Sequence, residues 1–166
     1  NEFFDYDKVV IATHADEALK IIDNPTSDEE LILKNFKYRG NTAVIHFDES
    51  IMPKNKKAWC SWNSSMSADN IEKTSVTYWL NQLQNLKIGK NIFLTINPFR
   101  EIPANKIFKK VMFTHPYFDT AALSNQSNLQ KIQNKKNILF CGSYFGYGFH
   151  EDGIKSSIEM LKILND

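Results

Sequence analysis

The chain has 166 residues, 42% of them hydrophobic and 13% aromatic, with a formal net charge of +1. This length predicts one domain of ordinary size, and the apolar content is enough for a core and excludes a disordered chain. A net charge this small gives no overall electrostatic attraction to nucleic acid, to acidic substrates or to a membrane surface. No apolar run approaches the ~20 residues of a membrane span, so we expect no integral membrane segment.

The cysteines and the first residues bear on the cellular compartment. Cys60 and Cys141 lie in apolar surroundings far apart in the sequence, which favours buried free thiols in a reducing cytoplasm over a disulfide. The chain starts with Asn-Glu-Phe-Phe-Asp, which has acids where a signal peptide needs basic residues. These features predict a cytoplasmic protein, and a start without methionine fits a cleaved product or one part of a longer protein.

The first part of the chain is predicted to form one strand and two helices. A β-branched run predicts a strand over residues 6–13, and acids in the first turn predict a short helix over residues 16–22. Ser27 and Glu30 have the spacing of a capping box, which predicts a second helix as far as residue 36.

The middle of the chain is predicted to form a sheet. Gly40-Asn41 predicts a turn that leads into a strand over residues 42–47. The polar residues 63–70 are turn-like, and a succession of strands with short connections is typical of an antiparallel sheet. Further strands are predicted over the runs rich in aromatic and β-branched residues, which are 58–62, 75–79, 91–96 and 106–114.

The last part of the chain is predicted to contain a helix over residues 121–133, a buried strand over 137–141 and a final helix over 154–164. The final helix has a stripe of apolar residues at the spacing of a core-facing side, formed by Ile154, Ile158, Leu161 and Leu164. The order of elements predicts an α+β fold, with a mainly antiparallel sheet and flanking helices.

Three glycines, Gly142, Gly146 and Gly148, separate the last strand from the last helix. Glycines let a ligand approach the backbone, and a helix start offers unpaired N–H groups at a positive dipole end. This turn is therefore suited to an electron-rich ligand that lies across the start of the helix. The alternative is a loop that needs glycine only for positive φ angles.

The segment 142–157, Gly-Ser-Tyr-Phe-Gly-Tyr-Gly-Phe-His-Glu-Asp-Gly-Ile-Lys-Ser-Ser, resembles the C-terminal flavin-binding segment of FAD-dependent oxidoreductases related to the flavin amine oxidases. The closer likeness is to a bacterial branch described as predicted NAD/FAD-binding proteins. The other stretches that agree with this branch are 9–19, 58–63, 76–84 and 114–119.

The resemblance implies a division of the chain. Residues 1–22 and 137–166 are similar to pieces that return to the FAD-binding domain, and residues 23–136 are similar to the substrate domain. The two ends of the chain should then lie close together. The family's N-terminal half, with its dinucleotide fingerprint, is expected to be the partner that completes the FAD site, so this chain is similar to the C-terminal part of such a flavoprotein.

The resemblance also implies which residues bind the cofactor. Gly142 and Ser143 are expected beside the ribityl and pyrophosphate groups of FAD. Asp152, Gly153 and Ile154 are expected where the helix N–H groups approach the phosphates or the N1/O2 edge of the flavin.

Four more residues belong to this set. Many flavoproteins have an acid where this chain has Ser143, and Glu151 is the candidate that replaces it. Capping of the helix is the alternative role for Glu151 and for Asp152. Thr13 and His14 resemble the turn with which an earlier strand passes the cofactor, and Gly148 lies in the same glycine loop as Gly142. The alternative for His14 is a residue that binds local backbone where the helix begins.

Other candidate groups are weaker. His150 precedes the final helix and is a candidate proton shuttle beside the flavin, because a histidine side chain can titrate near neutral pH. The alternative is a structural or exposed histidine. His46 and His115 lack spaced partners, so we expect no metal site. The basic residues 54–57 are predicted to form a solvated loop, with a phosphate site as the weaker alternative. A set of aromatic residues is predicted to pack in the sheet core, or to line a cavity above the flavin, and comprises Trp59, Trp62, Tyr78 and Trp79.

The resemblance implies that the intact protein is an FAD-dependent oxidoreductase that acts on a small-molecule substrate. It assigns no catalytic residue to this chain. A lipid-like substrate is favoured, because relatives in the family occur beside or fused to fatty-acid-modifying enzymes. The alternative is a non-enzymatic module for ligand or protein binding. We expect the isolated chain to bind FAD weakly or not at all, and to self-associate through apolar surface.

Overall fold

The computed structural model describes residues 2–70 and 73–165 and contains two compact units. The first unit comprises Asn1–Arg39 together with Pro116–Asp166, and the second unit is Gly40–His115. The two ends of the chain therefore belong to one unit. The assignment of particular segments to an FAD-binding or a substrate domain stays a prediction.

The regular elements follow the predicted order of strands and helices closely. The strands are β1 (Val9–Ile11), β2 (Lys37–His46), β3 (Trp62–Met66), β4 (Thr74–Trp79), β5 (Phe93–Ile96), β6 (Ile107–Tyr117) and β7 (Ile138–Phe140). The α-helices are α1 (Ala15–Ile21), α2 (Ser27–Leu33), α3 (Leu80–Leu83), α4 (Thr120–Asn125) and α5 (His150–Asn165). None of the helices in the described part of the chain is long and apolar enough to cross a membrane.

The first unit is built on a two-stranded parallel sheet. β1 pairs with β7, with Val9 opposite Ile138 and Ile11 opposite Phe140. This pairing confirms that the two ends of the chain lie close together. Helices pack around the pair, and the fully buried side chains of the unit include Leu33, Leu129, Ile132, Phe140 and Tyr144.

A capping box fixes the start of α2. Thr26 is the N-cap, its hydroxyl accepts a hydrogen bond from the Glu29 amide at 3.2 Å, and the Glu29 carboxylate accepts one from the Thr26 amide at 2.6 Å. The predicted box at Ser27 and Glu30 is therefore displaced by one residue. Both pairs have the required spacing, and the structure uses the pair whose glutamate is buried.

The second unit contains a five-stranded sheet in the order β3-β4-β5-β2-β6. β4 pairs antiparallel with both β3 and β5, and β5 pairs antiparallel with β2. The predicted α+β fold with a mainly antiparallel sheet is confirmed.

The predicted strand over residues 58–62 and the predicted turn over 63–70 were wrong. Strand β3 occupies the first half of the polar stretch, and the tryptophan-rich run before it covers the sheet instead of joining it. The Trp59 indole N–H donates to the Pro53 carbonyl at 2.7 Å, and its ring packs edge-on against Trp79 and Phe93. An edge strand needs little apolar content, because one side of it stays solvated.

The predicted turn at Gly40-Asn41 was also wrong, because β2 runs without interruption through these residues. Pairing across the sheet overrides the local preference of this dipeptide for a turn. The predicted helix over 121–133 is α4 followed by a 3-10 helix, Gln126–Ile132.

Helix α5 starts at His150, four residues before the predicted start. Of its predicted core-facing stripe, Leu164 packs against the buried cluster of Leu139, Cys141 and Met160, but the other three residues face outward. Ile154, Ile158 and Leu161 are 56%, 52% and 46% exposed. The buried side of the helix carries Ser156 and Met160 instead. The apolar period of a helix reveals that a stripe exists, but it does not reveal which element covers the stripe.

Candidate functional site

The turns that follow β1 and β7 form the candidate site in the first unit. Because the two strands are parallel, the chain leaves both of them at the same edge of the sheet, where ligands bind in open α/β sheets. A Cβ atom placed on Gly142 would lie 3.6 Å from the Thr13 carbonyl oxygen. The structure therefore brings Thr13 and Gly142 together, as the predicted cofactor site requires.

The first turn of α5 lies against the same edge. A Cβ on Gly153 would lie 3.8 Å from the Ser143 amide nitrogen. The Ser156 hydroxyl accepts a hydrogen bond from the Gly142 amide at 2.9 Å and donates to the Gly153 carbonyl at 2.8 Å. Ser156 therefore holds the glycine turn on the start of the helix.

Sequence reasoning missed the role of Ser156. The residue lies within the segment 142–157 and follows Gly153 by three positions, which is the spacing of neighbours on one helix face. Its small hydroxyl side chain could have indicated a backbone contact.

The surrounding structure requires glycine at some positions of this site and not at others. A Cβ on Gly142 would lie 2.7 Å from the Tyr144 ring, and Gly148 has a φ of +91° with Phe118 3.0 Å from its added Cβ. The protein's own packing explains both of these glycines. Gly153 is helical, and the described chain places no atom that would exclude a Cβ there. Glycine costs about 1 kcal/mol relative to alanine inside a helix, so the space beside Gly153 is the feature that the fold itself leaves unexplained.

The acids of the site serve the chain itself. The Asp152 carboxylate accepts hydrogen bonds from the amides of Tyr147 at 3.0 Å and Phe149 at 2.9 Å, which supports the helix-capping alternative. Glu151 is exposed, and its carboxylate lies 3.9 Å from the Lys155 ammonium group. Its contact with a ribityl hydroxyl stays a prediction.

Thr13 and His14 connect β1 to α1. The His14 ring stacks on Tyr38 with 4.2 Å between ring centroids, and the Tyr38 hydroxyl accepts a hydrogen bond from the Ala15 amide at 3.0 Å. Burial raises the pKa of Tyr38 to about 12, so this phenol stays neutral. The Thr13 hydroxyl donates to the His14 carbonyl at 3.1 Å. His14 is the N-cap of α1, but its side chain makes no capping hydrogen bond, so the ring has a structural role through stacking and not through the predicted bond to local backbone.

The remaining predicted residues surround the helix start without converging on one point. Ser143 is half-buried, whereas Ile154 and His150 are exposed. Tyr144, in the glycine loop, is fully buried, its hydroxyl has no partner within the described chain, and burial raises its pKa. The tyrosine therefore carries a neutral and unpaired hydroxyl close to the predicted cofactor residues.

The other candidate groups have mainly structural surroundings. His115 lies 3.0 Å from the Asn41 amide nitrogen. Over residues 2–70 and 73–165 there is no group of three or more His, Cys, Asp or Glu that could hold a metal ion. Both cysteines are free thiols, and Cys141 is buried. The expectation of burial was wrong for Cys60, which lies exposed in the loop before β3.

The four aromatic residues singled out by the sequence divide between the two faces of the second unit's sheet. Trp59 and Trp79 pack with Phe93 in the core, whereas Trp62 is 64% exposed and contacts Tyr78 with 5.1 Å between ring centroids. The prediction of core packing therefore holds for Trp59 and Trp79 and not for Trp62 and Tyr78.

Comparison with known proteins supports the fold. No family model matches the sequence, and no curated protein matches it either. The chain is similar to the crystal structure of a CLA-producing fatty acid isomerase from P. acnes, with a TM-score of 0.59 and 12% sequence identity over 95% of this chain. The match covers 41% of the isomerase, so the chain spans less than half of that protein's length. At this level of identity the likeness shows a shared fold.

Proposed function

We propose that this chain is the C-terminal portion of an FAD-dependent oxidoreductase that acts on a lipid-like small molecule. The observation that carries the proposal is the unexplained space at Gly153, next to Ser143 and at the start of the 16-residue helix α5. The likeness of the segment 142–157 to flavin-binding segments supports the same cofactor. The name of the similar solved structure, a fatty acid isomerase, supports the lipid-like substrate.

The residues at the edge of β1 and β7 fit an electron-rich cofactor. The amides of His150 and Glu151 begin α5 and have no carbonyl acceptor within the helix, and the positive end of the helix favours negative charge. Gly153 leaves room beside them, and Ser156 fixes the turn that contains Gly142. These groups would hold the cofactor mainly through backbone N–H groups, because the Asp152 carboxylate already binds its own loop.

A bound flavin would supply hydride transfer to or from a carbon atom of the substrate. The chain would contribute orientation and electrostatic stabilisation at the start of α5, and we assign no side chain of this chain to proton transfer. Oxidation, desaturation and isomerisation of the substrate all agree with these roles.

Substitution of Gly153 in the intact protein tests the proposal. Gly153→Asp places a carboxylate in the space reserved for the cofactor, and we expect the purified variant to lose its flavin. Gly89→Asp is the matched control, because a Cβ at that position meets no atom within 4 Å. Normal flavin content in Gly153→Asp contradicts the placement. Absence of a dinucleotide fingerprint from the coding sequence upstream would instead favour a non-enzymatic binding module.

A further inference from the structure

The second unit contains a cleft that no predicted site uses. The cleft has a volume of about 250 Å³ and lies over one face of the sheet. A smaller cavity continues from it and shares three of its lining residues. The residues of this cleft that bear on ligand binding are Ile51, Met52, Lys54, Ser65, Thr77 and Arg100.

The cleft carries two cationic side chains that are not neutralised. Lys54 and Arg100 line it, and neither forms an ion pair with a carboxylate in the described chain. The acids nearest to Lys54 in sequence have other partners, since Asp48 binds Lys106 at 2.7 Å and Glu49 binds Lys56 at 2.9 Å. Glu101 follows Arg100 in the sequence but does not line the cleft. No aspartate or glutamate of the described chain lines the cleft. Its charge is therefore suited to an anion.

Two serines line the same cavities as these cations. Ser65 lines both the cleft and the smaller cavity and is half-buried, and Ser75 lines the smaller cavity while being 4% exposed. Within the described residues neither hydroxyl forms a hydrogen bond, so both can contact a ligand in these cavities.

A buried chain of hydrogen bonds ends at the floor of the cleft. The Asp48 amide donates to His46 Nδ1 at 3.1 Å, so the His46 proton lies on Nε2, which donates to Thr95 Oγ1 at 2.7 Å. Thr95 is fully buried, and its hydroxyl lies 2.9 Å from Thr77 Oγ1, where either hydroxyl can be the donor. Thr77 lines the cleft, so this buried network reaches the cleft floor.

One wall of the cleft is apolar. Ile51, Met52 and Pro53 form it, and Met52 is 4% exposed. An inorganic anion would leave this wall without contacts, whereas a molecule with a hydrocarbon part would bury it.

We propose that this cleft binds a small organic carboxylate, with its anionic end between Lys54 and Arg100 and its hydrocarbon part on Ile51 and Met52. The hydroxyl groups of Ser65, Ser75 and Thr77 complete the contacts with the carboxylate. Every residue of the site lies in the second unit, so the proposal goes beyond the proposed flavin chemistry and does not depend on it.

Titration of the full chain with hexanoate tests this site, by calorimetry and by NMR of the labelled chain. We expect saturable binding, with amide shifts concentrated at Ser65, Ser75, Thr77 and Arg100. Arg100→Gln should weaken binding about tenfold, as loss of a charge-assisted hydrogen bond does. Lys57→Gln, which removes the same charge from a residue outside the cleft, should leave the affinity unchanged.

Three results overturn the proposal. Equal binding of hexanamide would remove the need for an anion, and equal weakening by Lys57→Gln would reduce the effect to net charge. Inorganic phosphate that binds as tightly as hexanoate would exclude a role for the apolar wall. Arg100 is exposed, so its variant is expected to fold, and thermal unfolding of each variant checks this.

Discussion

The first unit has a two-stranded parallel sheet, whereas the second unit has a five-stranded sheet. In the five-stranded sheet, β4 pairs antiparallel with β3 and β5, and β5 pairs antiparallel with β2. Parallel sheets are normally larger and covered on both faces, whereas an antiparallel sheet can leave one face to solvent. The first unit leaves most of the apolar stripe of α5 exposed, and the second unit leaves Trp62, Phe108 and Met112 exposed on its edge strands β3 and β6. The comparison teaches that the first unit exposes apolar surface on a helix, whereas the second unit exposes it at the two edges of its sheet.

The largest expected effects come from the two cores. Phe140→Ala in the first unit and Phe93→Ala in the second each remove a fully buried ring, and each should cost about 3–5 kcal/mol of unfolding free energy. Native-state hydrogen exchange should show protection lost mainly in the unit that carries the substitution. Equal loss of protection in both units for both variants would contradict the description of two separate cores.

A charge on the outer stripe of α5 tests the surface of the first unit. We expect the chain to self-associate through this stripe, and Ile158→Glu should weaken the association by about tenfold or more, because a half-exposed isoleucine would be buried in the contact. Lys155→Gln makes the same change in net charge at an exposed polar position of the same helix. Sedimentation velocity measures both variants, and equal effects would point to net charge instead of the stripe.

The smallest expected effect concerns pH and the second unit. Burial lowers the pKa of His46, the nearby Asp48 carboxylate opposes this shift and the Lys106 ammonium group adds to it. The folded state therefore keeps His46 neutral, while the unfolded state takes up a proton below its pKa of about 6.5. Stability should then fall as the pH drops from about 7 to about 5.

Urea unfolding at several pH values measures this dependence. His46→Gln should flatten it between about pH 7 and pH 5, whereas the same substitution at the exposed His115 should not. A slope that is unchanged in His46→Gln would contradict a neutral buried histidine.

Local sequence patterns predicted much of the fold. The β-branched runs located β4, β5, β6 and β7, and the glycine turn after β7 indicated where the chain leaves the sheet. Strand β3 was missed because its Asn-Ser-Ser sequence has no apolar alternation, and its pairing with β4 depends on a partner about a dozen residues away. The direction of the α5 stripe was missed for a similar reason, since burial depends on tertiary neighbours.

The candidate sites were predictable in part. The segment 142–157 led to Gly142, Ser143 and Gly153, which the structure places together. Sequence alone did not separate Gly142, which the Tyr144 ring requires, from Gly153, which the described packing does not require. The cleft of the second unit was missed because Lys54, Thr77 and Arg100 are far apart in sequence and meet only in the folded chain.

The most direct test of the central claim is flavin retention and apoprotein stability in Gly153→Ala of the intact protein, with Gly89→Ala as the control. Alanine fits the described packing and favours the helix, so the apoprotein should gain up to about 1 kcal/mol of stability while the purified protein loses flavin. Opposite changes in stability and flavin content would show that Gly153 is kept for the cofactor. A more stable variant with the flavin content of the wild type would contradict the account.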